Sequence, residues 1–314
     1  MRLVFMGTPA YVVPVLDALV KAPEVQVAGV YTPADRPAGR GRRAEVSPIK
    51  SYALEMGLAL FQPSSLRSVE SRNELAALTP DVVVVAAYGK LLPAPVLATP
   101  RHGCLNLHPS LLPRHRGPSP VATAILEGDA VTGTTLMLLD QGMDTGPIIA
   151  QRQHHLSGDE TAEALTAALL ELGNLLLLEK LAPWVGGRLT AEPQENAKAT
   201  ITRKLERADG EASWTLPAQA LERMRRAFAP WPGLFTRWEG KVMKLLDVVA
   251  LPPEASGPSN EPGHVVPLGL DHVPVGIATT QGILGLKVLQ LEGRRAVTSG
   301  EFLQGYPQFL GARL

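Results

Sequence analysis

The run DVVVVAA, Asp81 to Ala87, most constrains how this chain can fold. Its four valines show no alternation with polar residues, so a strand here has both faces buried. Strands of that kind belong to parallel sheets covered by helices on each side. Shorter apolar runs at Leu3–Met6, Val25–Val30, Gly103–Leu107 and Thr134–Leu139 read as partner strands. Helix patterns separate them at Tyr11–Lys21, Pro48–Met56, Val69–Leu78 and Pro118–Glu127. Ser47-Pro48 supplies a capping hydroxyl followed by a proline suited to a first turn. The alternation predicts a doubly wound α/β domain with a mainly parallel sheet and right-handed crossovers.

A long helix is expected from Thr161 to about Trp184, stopped by Gly186-Gly187. The stretch RLTAEPQENAKATITRKLER is polar and weakly patterned, which suits a linker at 189–207 between domains at 1–188 and 208–314. In the last hundred or so residues the pattern changes to short strands. Hairpin turns are expected at Glu239-Gly240 and Gln281-Gly282, as in a small, OB-like β-barrel. At 314 residues, two domains are the ordinary expectation.

Several function classes are excluded or disfavoured. No apolar run reaches the roughly 18 residues of a membrane span. The start MRLVFMGTP reads as a strand and turn rather than a secretion leader, so a cytoplasmic protein is expected. A single cysteine, Cys104, rules out an internal disulfide and a multi-cysteine zinc site. The histidines show no ligand spacing, so no metal is expected. Positive and negative side chains are equal in number, 30 each, but Asp35–Arg43 carries four arginines against one aspartate. Such a cluster is either a solvated face or a contact for a polyanion.

The chemistry is concentrated in CLNLHPSLLPRHRG, Cys104 to Gly117. Residues two apart on a strand share a face, so Asn106 and His108 project together, roughly 7 Å apart, while Leu105 and Leu107 take the other side. They either satisfy buried backbone groups or form a site at the carboxyl edge of the sheet, where α/β ligands bind. Cys104 lies four positions from His108, roughly 13 Å along a strand, too far to be its nucleophile. Downstream, LLDQGMDTGP places Asp140 and Asp144 in a glycine-rich loop. Parallel strands put their carboxyl ends on one edge, so this loop is expected to close over His108.

LNLHPSLLPRHRGPSP followed by LDQGMDTGP resembles the enzymes that transfer a formyl group from 10-formyltetrahydrofolate. That resemblance implies that Asn106, His108 and Asp144 are catalytic. It also implies that Ser110, Leu111, Leu112 and Pro113 line the folate slot, with folate as donor and no metal. FMGTP near the start, DRPAGRGRR and RAFAPWPG are similar to the branch whose acceptor is methionyl initiator tRNA. A transfer to a small amine, such as glycinamide ribonucleotide or an amino sugar nucleotide, is the alternative. In the tRNA branch the connection Tyr31–Val46, with Arg36, Arg40, Arg42 and Arg43, is expected to meet RNA.

In the chemistry this implies, an amine attacks the formyl carbon and an oxyanion forms. Asn106 and His108 are expected to donate to that oxyanion, and Asp144 to accept the amine proton or hold the His108 tautomer.

Overall fold

The computed structural model describes residues 1–38, 43–252 and 261–314. Its chain divides into two compact units. The first comprises Met1–Pro120, Val131–His155 and Leu165–Thr202, and the second Val121–Ala130, Leu156–Ala164 and Arg203–Leu314.

In chain order the first unit opens with β1 (Arg2–Gly7), α1 (Val13–Lys21) and β2 (Gln26–Tyr31). A short antiparallel ladder follows, β3 (Arg36–Ala38) with β4 (Arg43–Glu45). The connection expected to be irregular therefore carries backbone pairing, Arg36 opposite Glu45 and Ala38 opposite Arg43. Arg40 and Arg42 lie outside the described residues. Next come α2 (Pro48–Glu55), β5 (Leu60–Phe61), α3 (Val69–Ala77), β6 (Val82–Ala86), α4 (Ala94–Leu97) and β7 (Cys104–His108). The Ser47 hydroxyl accepts from the Lys50 amide at 3.1 Å, capping α2 in the way its sequence requires.

After α5 (Pro120–Glu127) the sheet is completed by β8 (Val131–Leu138) and β9 (Ile148–His155). Its order is β5-β2-β1-β6-β7-β8-β9. Five strands are parallel, whereas β8 runs antiparallel to β7 and β9 antiparallel to β8. The chain leaves β1 toward β2 and returns on its other side at β6, so the switch point lies between β1 and β6.

Both faces of the sheet are covered. Leu3, Phe5, Val82, Val84, Leu105 and Leu107 pack with α1 and the long α6 (Ala162–Val185). Val4, Met6, Val83, Val85 and Cys104 pack on the opposite side, where α3 and α4 contribute Leu75 and Val96. The uninterrupted valines of β6 follow from this two-sided burial. Leu16 of α1 is fully buried in the first of these cores. Its replacement, Leu16→Ala, is expected to cost about 2–5 kcal/mol through lost transfer energy and a residual cavity. The urea midpoint of the unfolding transition reads this, and an unchanged midpoint would place Leu16 outside the core.

The segment expected as a linker contributes residues 192–202 to the first unit. Glu192 and Ile148 exchange both backbone hydrogen bonds at 2.8 Å, and Ile201 bridges to Arg116.

The second unit contains α7 (Ala218–Phe228), β10 (Phe235–Trp238), β11 (Lys241–Leu251), β12 (Val265–Leu270), β13 (Val273–Ala278), β14 (Ile283–Leu291), β15 (Val297–Thr298) and α8 (Ser299–Gly305). Its antiparallel sheet has the order β10-β11-β14-β13-β12, with β15 added beside β14. This is the strand set of a small barrel, but no ladder closes β12 onto β10 among the described residues. Glu239 and Gly240 join β10 to β11 with φ of 48° and 74°, the left-handed pair of a tight hairpin turn. Trp238 meets Phe302, Tyr306 and Phe309 edge to face, Phe302 meets Phe309 likewise, and Phe302 stacks on Tyr306. No helix among the described residues is long and apolar enough to cross a membrane.

Candidate active site

β7 ends in Asn106 and His108 on the face of the sheet that Cys104 shares, as strand alternation requires. Pro109 follows and cannot extend the ladder. The Asn106 side chain is half-buried and makes no hydrogen bond among the described residues. His108 is buried at 4% exposure. Its Nε2 lies 3.0 Å from the His115 carbonyl oxygen. A carbonyl only accepts, so Nε2 carries the proton and donates. In the neutral ring Nδ1 is then an unprotonated acceptor.

Nδ1 faces Asp144, with Oδ2 3.7 Å away. That separation exceeds a direct hydrogen bond but is within reach of an ion pair once the ring is protonated. Burial pushes the His108 pKa below its ordinary value. The Asp144 charge and the hydrogen bond to His115 oppose that shift, and the His115 ring adds to it. The ring is therefore held neutral with a carboxylate poised to stabilise it once protonated.

Asp144 reaches His108 by a route the sequence did not indicate. Because β8 is antiparallel to β7, Leu138 pairs with Leu105 and the loop starts at the edge opposite His108. The loop doubles back across the sheet. The Gly117 amide then donates to Asp144 Oδ2 at 2.8 Å and aims the carboxylate. Gly117 has a φ of 106°, and a Cβ there would meet the Thr202 carbonyl at 2.7 Å, so only glycine brings its amide this close. Asp140 is tied up otherwise, accepting from Thr145 Oγ1 and the Gly142 amide. The expected proximity is present, but a parallel strand is not its cause.

The four residues after Pro109 are distributed unevenly. Ser110 is fully buried, its hydroxyl donates to the Arg114 carbonyl at 2.7 Å, and its own carbonyl accepts from Thr135 Oγ1 at 2.6 Å. Its polar groups are thus engaged inside the protein. The Leu112 amide donates to Thr135 Oγ1 and its carbonyl accepts from Gln151. Leu112 itself is buried, whereas Leu111 and Pro113 are half-exposed. Thr135 lies opposite His108 in the β7–β8 ladder and anchors this loop from β8. Nothing in the sequence singled out Thr135, Gln151 or Gly117 for these contacts, because each works through a partner distant along the chain. Burial drives the Cys104 thiol up to about 12, which removes it as a nucleophile at neutral pH.

A cleft of about 530 Å³ opens at the carboxyl edge of the sheet. Thr8, Pro9 and Tyr11 line it after β1, Asp35 and Ser47 after β2, and Ala87, Tyr88 and Lys90 after β6. It therefore sits at the switch point between β1 and β6, beside the strand that ends in His108. The Thr8 hydroxyl donates to the Tyr88 carbonyl at 3.0 Å and ties two of its walls together.

Comparison with known proteins bears on what this arrangement does. Residues 1–181 match the formyl transferase family, and residues 204–307 match the C-terminal domain of formyl transferase. The methionyl-tRNA formyltransferase of Roseiflexus sp. (strain RS-1) is 44% identical over 314 residues, covering 100% of this chain and 95% of that protein. That of Marinobacter nauticus is 41% identical, covering 99% of this chain and 98% of that protein. Among solved structures, an N-formyltransferase from Helicobacter canadensis, in complex with folinic acid and dTDP-3-aminofucose, superposes with a TM-score of 0.64 at 17% identity. That match covers 91% of this chain and 99% of the other. HypX from Aquifex aeolicus in complex with tetrahydrofolic acid superposes with a TM-score of 0.63 at 18% identity, over 99% of this chain and 48% of its own. At such identities these two structures speak for the fold alone.

Proposed function

The chain belongs to the formyl transferase family, and from that premise we propose that it moves the formyl group of 10-formyltetrahydrofolate to the α-amine of methionyl initiator tRNA. The observation that carries this reading is the extent of the likeness. It runs through both units at 41–44% identity to methionyl-tRNA formyltransferases, including the C-terminal domain. Transfer to a small amine is the weaker reading, since the Helicobacter canadensis N-formyltransferase in complex with dTDP-3-aminofucose is only 17% identical to this chain.

In the proposed reaction the methionyl amine attacks the formyl carbon, forming the new C–N bond and placing the carbonyl pair on oxygen. The free amide of Asn106 donates to that oxyanion. The amine proton passes to His108 Nδ1, the ring nitrogen that His115 leaves free, and Asp144 stabilises the resulting imidazolium. His108 thus becomes a donor at Nδ1 only after taking the proton, a change from the expectation of two ready-made oxyanion donors. When the oxygen pair returns, the bond to N10 of the folate breaks and N10 takes the proton back from Nδ1. The products are the formylated amine and tetrahydrofolate.

The folate slot is assigned to the wall formed by Ser110, Leu111, Leu112 and Pro113. Leu111 and Pro113 offer apolar surface there, and Ser110 acts by holding the loop's shape. For the tRNA, Arg36, Arg40, Arg42 and Arg43 are assigned to phosphate and base contacts. Charge and a connection that leaves the carboxyl end of β2 support this.

Incubation with 10-formyltetrahydrofolate and either charged initiator tRNA, glycinamide ribonucleotide or an amino sugar nucleotide tests the reading. Formyl transfer to the charged tRNA alone is expected. Transfer to a small amine with none to tRNA would reverse the assignment.

A further inference from the structure

We propose that residues 192–202 form a strap that sets the geometry of the His108–Asp144 pair, with Gln194 as the positioning residue for Asp144. This rests on the roles given above to His108 and Asp144.

Two residues flank the His108 ring, His115 through its carbonyl and Asp144 through its carboxylate. Both have left-handed backbones, with φ of 59° and 54°. Asp and His enter this region more readily than most L-residues, and surrounding contacts hold them in it.

One segment supplies contacts to both. Gln194 Nε2 donates to the carbonyls of Asp144 and Gly146, at 2.8 and 2.7 Å. Both amide hydrogens are thereby used. Gln194 Oε1 accepts from Arg116 Nε at 2.9 Å, and Arg116 Nη2 donates to Asn196 Oδ1 at 2.9 Å. A guanidinium only donates, so the Gln194 oxygen must face Arg116 and its nitrogen must face the loop carbonyls. Six residues further on, Thr200 Oγ1 accepts from the His115 amide at 2.8 Å, and the Thr200 carbonyl from the Arg116 amide at 2.9 Å. Thr202 completes the grip. Its amide donates to the Arg116 carbonyl at 2.7 Å, and its hydroxyl accepts from the Ser119 amide at 3.1 Å.

The Asp144 loop has no side chain of its own for this task at its return. A Cβ on Gly146 would overlap the Leu138 carbonyl, so position 146 offers no side chain to the Asp144 and Gly146 carbonyls. Gln194 holds them while Arg116, only 7% exposed, locks the amide in place. One segment therefore bears on both ring nitrogens of His108: on Nδ1 through Gln194 and Asp144, and on Nε2 through Thr200 and His115.

The test compares Gln194→Leu and Gln194→Glu with the unaltered full chain. Both remove the donors to Asp144 and Gly146, and Gln194→Glu keeps an oxygen for Arg116. For each, kcat is expected to fall about 10- to 100-fold, as a misplacement near 1 Å does. The KM values for folate donor and charged tRNA should stay within about twofold. For Gln194→Leu, which adds no charge, the acid limb of the kcat profile should move to lower pH. With Asp144 withdrawn, His108 loses the charge that favours its protonation, leaving the opposing ring of His115 and burial to depress it. On an Asp144→Asn background Gln194→Leu should cost less than about twofold, because the two act as a unit.

Unaltered kcat in Gln194→Glu, a KM effect alone, or a full additive loss on the Asp144→Asn background would overturn the strap. If Gln194→Leu fails to fold, Gln194→Glu decides by the same criteria. An unaltered chain that does not formylate charged initiator tRNA would instead overturn the functional reading. An active chain with impaired His108→Ala and Asp144→Asn variants but normal Gln194 variants would overturn the strap alone.

Discussion

Asp144→Asn is expected to lower turnover by about two to four orders of magnitude, the range for a lost acid–base partner. The substitution keeps the size of the side chain, and an amide oxygen can still accept from the Gly117 amide that aims Asp144 Oδ2 at 2.8 Å. What it removes is the negative charge 3.7 Å from His108 Nδ1. In the proposed reaction, the imidazolium formed when the amine gives up its proton would then have no counter-charge, in a site where burial already disfavours it. The pH dependence should change with it. In the unaltered enzyme, turnover is expected to fall as pH drops through the His108 pKa, which burial holds below its ordinary value, because the protonated ring cannot take a proton. Asp144 raises that pKa against the burial effect, so its neutralisation lowers it further. The acid limb therefore shifts to lower pH while the plateau drops. Single-turnover rates across pH, with folate binding measured separately, check both effects. Near-normal turnover, or a limb displaced to higher pH, would make Asp144 structural rather than catalytic.

His108→Ala and Asn106→Ala are each expected to reduce turnover about a hundred- to a thousandfold. The two losses have different origins. Asn106 is half-buried and its amide has no partner among the described residues, so Asn106→Ala takes away a donor with little disturbance of the fold. His108 is buried and bonded to the His115 carbonyl at 3.0 Å, so His108→Ala removes the proton carrier and leaves that carbonyl without its donor. Some loss of stability should accompany His108→Ala and be absent from Asn106→Ala. Affinity for charged tRNA should change little in either. Rapid-quench turnover paired with thermal unfolding separates these contributions. An Asn106→Ala variant with full turnover would remove the oxyanion role, and a His108→Ala variant with full turnover would remove the proton relay.

Much of this site is local and therefore legible. Strand alternation alone puts Asn106 and His108 on one face and Leu105 and Leu107 on the other. Four successive valines demand burial on both faces of β6, hence a parallel sheet with a carboxyl edge where ligands collect. Glu239-Gly240 between apolar runs forces a tight hairpin, because both residues must be left-handed. Each inference uses residues only a few positions apart, where periodicity and backbone sterics act directly.

The remainder depends on contacts between residues distant in the chain. The direction of β8 is one case: a strand buried on both faces has the same composition whether it runs parallel or antiparallel, so the pattern cannot choose. The antiparallel course sends the Asp144 loop back across the sheet. Ser110 is another, since neither its burial nor its bond to the Arg114 carbonyl follows from a serine after a proline. The segment 192–202 is the clearest. Its polar, aperiodic residues lack an apolar face and so read as a linker. Yet Gln194 bonds to a carbonyl 50 residues away and Thr200 to an amide 85 residues away. Such residues encode no period because they recognise individual backbone groups, and those groups take up their positions only when the sheet has formed.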